Sequence, residues 1–188
     1  LGYETVRASG GQSETSYSFN QKKDGSWEEQ TIKADRTFDG SGRVTGVTGG
    51  GTMASYDGHG HTTTGVIEQT YNDRHQLVKT TTTSTTTGGG TTSKTVETTN
   101  FIYRGTVLVG QTGGGRTVTT NPDGTATVAE FTNTYEKRNG QFVVTSVHTV
   151  ETRNSVVDGM PRTTVQDTVK TLTYDKDNQV VAMEVKGT

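Results

Sequence analysis

The chain contains no cysteine. A disulfide framework is therefore excluded, and so are thiol nucleophiles and thiol redox chemistry. Hydrophobic residues make up only 27% of the 188 positions, below the share that supplies a thick core. No apolar run approaches the roughly twenty residues a membrane-crossing helix needs. The net charge is only −2, so no electrostatic drive points to nucleic acid or to an anionic membrane as partner. The two prolines and the small net charge also argue against a disordered chain, whose polar excess would be proline, glutamate or lysine. No signal peptide is legible; the chain opens Leu1-Gly2-Tyr3, as a mature or excised fragment would.

What is abundant is threonine, with 41 copies, and glycine, with 25. Threonine is β-branched, stiff at χ1 and suited to a pleated surface, whereas glycine supplies turns. Turn signals recur about every sixteen to eighteen residues: Gly10-Gly11, Lys23-Asp24-Gly25, Asp39-Gly40, Asp57-Gly58, Asn72-Asp73, Gly88-Gly90, Arg104-Gly105, Pro122-Asp123-Gly124, Arg138-Asn139-Gly140, Asp158-Gly159 and Asp175-Lys176. Asp-Gly and Asn-Gly pairs provide the positive φ angles of tight hairpins. The segments between them, about 10 to 13 residues each, carry no i, i+3, i+4 apolar spacing, so no helix is expected. Short turns allow only antiparallel neighbours. The expected fold is all-β: an antiparallel up-and-down meander of about ten to twelve long strands, forming one domain over 1–188 as an open or strongly curved sheet, or a closed barrel.

Six turns sit close behind an aromatic ring: Phe38, Tyr56, Tyr71, Tyr103, Tyr135 and Tyr174. Apolar residues follow the turns, as in Leu77-Val78, Val107-Leu108-Val109, Phe142-Val143-Val144 and Val180-Val181. The expectation is that hydrophobic mass gathers at these corners, each ring stapling its hairpin and stacking on the equivalent ring next door. Thr80–Thr87 and Thr91–Thr99 are threonine on both faces, hydrated or lightly packed. The glycine runs 49–51, 88–90 and 113–115 precede no helix that could complete a phosphate cradle and read as flexible turns.

The run Phe38-Asp39-Gly40-Ser41-Gly42-Arg43-Val44 resembles the YD/RHS repeat, in which Tyr-Asp, two variable residues and Gly-Arg precede an aliphatic residue. Tyr71-Asn72-Asp73-Arg74-His75-Gln76-Leu77 and Tyr174-Asp175-Lys176-Asp177-Asn178-Gln179-Val180 are similar, with His75 and Asn178 in the glycine position. The Tyr103 and Tyr135 turns lack the aspartate, and their spacing departs from the family's repeat of about twenty residues. The resemblance implies sheets of β-hairpins on a bacterial surface or secreted protein.

Asp57, His59 and His61 lie within five residues and are the candidate metal ligands, weighed against a solvated turn because glycine flanks His59. His75 and His148 are too distant in sequence to be assigned to them. Asp39, Asn121-Pro-Asp123 and Asp175-Lys-Asp177 present alternating oxygens, without the closing glutamate of a calcium loop; tight-turn chemistry accounts for them. No Gly-x-Ser-x-Gly elbow is present, and nothing nominates a catalytic pair or a cofactor. Tyr71, Tyr103, Tyr135 and Tyr174 are the candidate binding residues, as a carbohydrate platform. The threonine rows are an alternative surface, for ice. The functional expectation is a non-enzymatic structural or adhesive hairpin-repeat module outside the bacterial cell, its partner a surface glycan or neighbouring repeats, with no nucleic acid and no membrane insertion. The alternative is a module binding carbohydrate, a small ligand or ice.

Overall fold

The computed structural model describes residues 2–10 and 12–188, with side chains from Gln12 onward. No helix occurs among the described residues. The strands are β1 (Gly2–Gly10), β2 (Ser13–Gln21), β3 (Trp27–Phe38), β4 (Val44–Tyr56), β5 (Thr62–Tyr71) and β6 (Leu77–Gly88). They continue as β7 (Thr91–Arg104), β8 (Val107–Thr120), β9 (Ala126–Arg138), β10 (Gln141–Val157), β11 (Met160–Tyr174) and β12 (Val180–Gly187). Strand order follows chain order in one meander sheet whose ends, β1 and β12, remain unpaired with each other, so no barrel closes. The chain divides into two compact units, Leu1–Lys94 and Thr95–Thr188.

Reversals fall at the expected places; of the Gly10-Gly11 turn, Gly11 lies outside the described residues. Two loop types alternate irregularly. Two-residue loops at Asn139-Gly140 and Asp158-Gly159 have both central residues at positive φ, 48° with 83° and 53° with 77°, as the twist of an antiparallel pair favours. The other type has five residues and occurs at 22–26, 39–43, 57–61, 72–76, 121–125 and 175–179. In all six the first N–H donates to the fifth carbonyl, at 2.9 to 3.1 Å. The fourth residue is left-handed: Gly25, Gly42, Gly60, His75, Gly124 and Asn178.

Thus in 39–43 the residue at positive φ is Gly42 rather than Gly40 of the expected Asp-Gly pair. In the loops led by Asp39, Asp57, Asn72 and Asp175 the leading side chain caps the loop, its Oδ1 accepting the third and fifth N–H groups, as at Asp39 (2.8 and 2.9 Å) and Asp175 (2.9 and 2.9 Å). A Cβ on Gly124 would meet nothing within 4 Å. Gly124→Ala should therefore cost only the left-handed backbone penalty, about 1 kcal/mol, readable as a lowered urea midpoint with unchanged slope.

The three loops with YD-like sequence share one further device. Phe38 pairs Val44, Tyr71 pairs Leu77 and Tyr174 pairs Val180, and in each case one residue beyond (Thr45, Val78, Val181) bulges from the ladder. The same bulge follows Val144, which pairs Tyr135. Tyr135, however, does not lead a corner. It lies inside β9, three residues before the strand ends at Arg138.

Three expectations about packing are overturned. The runs 49–51 and 113–115 are not turns; they sit mid-strand in β4 and β8. A Cβ on Gly51 would collide with the Thr31 carbonyl oxygen on β3, and one on Gly50 would come within 2.5 Å of the Ile67 carbonyl oxygen on β5. Neighbouring backbones approach β4 so closely that only glycine fits. Nor does hydrophobic mass collect in a core at the corners: Val107, Val180 and Val181 are exposed, and among the described residues Ile67, in the middle of β5, is the one buried apolar side chain, at 4% exposure. Finally, within the second unit the rings of Tyr103, Tyr135 and Tyr174 do not stack in a row, since each lies two strands from the next, in β7, β9 and β11.

Candidate functional site

Period-two alternation puts the even residues of β2 and β3 and the odd residues of central β4 and β5 on one face of the first unit. Register confirms it: Asn20 opposes Glu28, Glu28 opposes Ser55, Ser55 opposes Thr63 and Thr63 opposes Thr86. Residues from all five strands, Asn20 through Thr86, line one cavity of about 460 Å³. Strands this far apart in the sheet share a cavity only if the unit curls, so this face is concave.

Ile67 lies midway along it, and Ile32, Gly51 and Ile67 are consecutive cross-strand partners. Because the middle residue has no side chain, the two isoleucines flank a gap in the face. A second bay of about 340 Å³ opens nearer the 72–76 loop, lined by Ile32, Ala34 and Val47 with Glu14, Arg36, Gln69, Tyr71 and His75.

Tyr71 and Gln69 enter this bay over Gly49. A Cβ there would fall 2.5 Å from Gln69 Oε1 and 2.9 Å from the Tyr71 hydroxyl. The hydroxyl donates to Gln69 Oε1 at 2.9 Å. Burial raises the Tyr71 phenol above its ordinary pKa, the nearby Arg36 charge lowering it and Glu14 raising it, so it stays a protonated donor at neutral pH. Arg36 and Glu14 pair at 3.0 Å; both are partly exposed, so the pair contributes at most about 1 kcal/mol. His75 Nε2 lies 3.0 Å from the Val44 carbonyl oxygen and must donate to it, because a carbonyl oxygen only accepts.

The second unit repeats the arrangement. The hexapeptide Gly-x-Thr-Gly-Gly-Gly occurs at 46–51 and again at 110–115, and Thr-Tyr follows at 70–71 and 134–135. A Cβ on Gly113 would lie 2.6 Å from the Tyr135 hydroxyl, and one on Gly115 would lie 2.7 Å from Phe131 Cζ. Phe131 therefore stands where Ile67 stands in the first unit, and Asn133, bonded to Tyr135 at 3.5 Å and to Glu97 at 3.1 Å, where Gln69 does. Read as turns, the glycine runs conceal this duplication, whose signal in the sequence is the repeated hexapeptide.

The remaining candidate tyrosines are part of the sheet. Tyr174 donates its hydroxyl to the Val144 carbonyl at 2.6 Å, with the Arg138 guanidinium 5.6 Å from its ring centre. Tyr103 is half-buried in β7. Tyr71 belongs to one unit, and Tyr103, Tyr135 and Tyr174 to the other. The threonine rows likewise bond internally, Thr63 to Thr86 at 2.8 Å and Thr95 to Thr117 at 2.9 Å.

Asp57, His59 and His61 close their own loop. Asp57 Oδ1 accepts the N–H groups of His59 (2.6 Å) and His61 (3.0 Å), its Oδ2 meets His61 Nδ1 at 2.7 Å, and His59 Nδ1 turns to the Asp57 carbonyl at 2.9 Å. Among the described residues no three His, Cys, Asp or Glu side chains are grouped to hold a metal ion. In the calcium-like loops one carboxylate oxygen of Asp39, Asp123 and Asp175 is occupied by loop N–H donors, a use that competes with a cation.

These donors, the His61 and His59 amides foremost, hold the Asp57 carboxyl down at about 2. A carboxyl depressed in the folded state stabilises it above the ordinary pKa of 3.8, and that contribution is lost as pH falls through about 2. An NMR titration should therefore find Asp57 ionised at pH 3, and Asp57→Asn should flatten the fall in thermal midpoint between pH 4 and 2. An Asp57 midpoint near 4 would refute this.

No protein-family model, curated protein or solved structure matches this chain.

Proposed function

We propose that this chain is a non-enzymatic structural or adhesive β-hairpin-repeat module of a bacterial surface or secreted protein, similar in its corners to the YD/RHS repeat. One observation carries the reading: the side chains with the most chemistry to offer are spent on the backbone. Asp39, Asp57, Asn72 and Asp175 cap their own loops, and Tyr71 and Tyr135 sit over glycines of the preceding strand. A unit built this way supplies stiffness and length from repeated hairpins rather than a reactive centre. Protease treatment of intact producing cells should release its peptides, and the flanking coding sequence should carry further aromatic, five-residue-loop, aliphatic-bulge units. Protection from the protease together with unrelated flanking sequence would refute the proposal.

A second reading is favoured by the bay around Tyr71: a module that binds carbohydrate or another small ligand. Reproducible glycan-array hits that vanish in Tyr71→Ala or Tyr135→Ala would support it over a purely structural role.

A further inference from the structure

We propose that the bay on the first unit bounded by Glu14, Arg36, Gln69, Tyr71 and His75 is a binding site for one ring of an uncharged saccharide. The inference rests on the ligand-binding reading and names its site and ligand class. Its carrying observation is an apolar floor beneath a polar rim whose charges are already matched.

The floor comes from Ile32, Ala34 and Val47, with no side chain at Gly49 to fill the space. Such a floor accepts the C–H face of a pyranose and gives nothing to a fully hydrated ion. The rim is polar. Arg36 and Glu14 hold each other at 3.0 Å. An anionic ligand drawn to Arg36 would be opposed by the Glu14 charge beside it, and a cationic one drawn to Glu14 by the Arg36 charge. A neutral ligand disturbs neither, and it can use the N–H and carboxylate oxygen positions that the pair leaves over.

Gln69 is oriented for the same task. Its Oε1 accepts the Tyr71 hydroxyl at 2.9 Å, so the amide Nε2 is the end left to donate to a ligand. His75 is pinned as a donor to the Val44 carbonyl at 3.0 Å and thereby walls the bay on the loop side. Adjacent donors and acceptors above an apolar patch suit vicinal hydroxyls, which present both roles on neighbouring carbons. At about 340 Å³ the space is that of one sugar ring, so longer glycans would engage through a terminal residue.

The test is calorimetry and saturation-transfer NMR on the full chain with D-glucose, D-galactose, D-mannose and N-acetyl-D-glucosamine, and with D-glucosamine and N-acetylneuraminic acid as cationic and anionic comparators. At least one neutral sugar should bind with a millimolar dissociation constant and more tightly than either comparator. Gln69→Ala, which leaves the Tyr71 ring in place, should weaken it by about tenfold, the loss of one buried hydrogen bond. Ala34→Leu, which fills the floor, should abolish binding, and the far-UV spectrum and melting midpoint of each variant confirm its fold. Val165→Ala, at an exposed position of the other unit, should change nothing.

Failure of every neutral sugar to bind, or tighter binding of a charged comparator, would overturn the proposal. If a neutral sugar binds equally well to both Gln69→Ala and Ala34→Leu, this bay is the wrong site while the ligand-binding reading itself survives.

Discussion

Gly51→Ala should be among the most damaging single-atom additions this protein can suffer. The new methyl would collide with the Thr31 carbonyl oxygen, a backbone atom held in the β3–β4 ladder by the Ile32–Gly51 pairing. A flexible side chain could step aside; a ladder carbonyl cannot move without breaking its own hydrogen bonds. The expected loss is about 3 kcal/mol, the upper end of the range for overpacking, and a large part of the total stability of a domain this size. Trp27, the only tryptophan in the chain, lies in the first unit, so its fluorescence reports the loss directly. Gly40→Ala is the control. Its φ is not positive and a Cβ there meets nothing within 4 Å, so its midpoint should stay within about 0.5 kcal/mol of the parent. Equal midpoints for the two variants would mean that the glycine run is not the point of close strand approach.

Ile67→Ala should have a comparable effect for the opposite reason. Ile67 is 4% exposed and is the buried apolar side chain of the concave face. Across the gap at Gly51 stands Ile32, so truncation leaves a hole that no neighbour can grow to fill. The expected cost is about 3 kcal/mol, transfer and cavity contributions together. Val66, one residue earlier and 55% exposed, supplies the comparison: Val66→Ala should cost about 0.5 kcal/mol or less. Denaturant titration of both, again followed at Trp27, decides the matter. Similar losses for the two positions would contradict a concave face built around Ile67.

The hairpin reversals were legible because turn chemistry is local. Asn139-Gly140 and Asp158-Gly159 need only their own φ angles to make a reversal, and the Asx caps at Asp39 and Asp175 reach no farther than four residues. The roles of Gly49 to Gly51 and Gly113 to Gly115 were not legible, since a glycine run reads as a loop until neighbouring strands are in register on both sides. The same limit hid the bay. Glu14, Arg36, Gln69, Tyr71 and His75 come from β2, β3, β5 and a loop, and nothing in their spacing brings them together. Of these only Tyr71 was singled out as a binding candidate, by virtue of its ring beside a turn.

The sequence by itself determined the all-β class, the antiparallel order and the positions of the reversals, because backbone φ preferences and short loops leave a threonine- and glycine-rich chain few other options. Only the tertiary structure decided which face is concave, where the small core sits and why two glycine runs lie within strands. Those depend on how closely separate strands approach, and that distance is set by pairing register and curl across the sheet rather than by any residue's immediate neighbours.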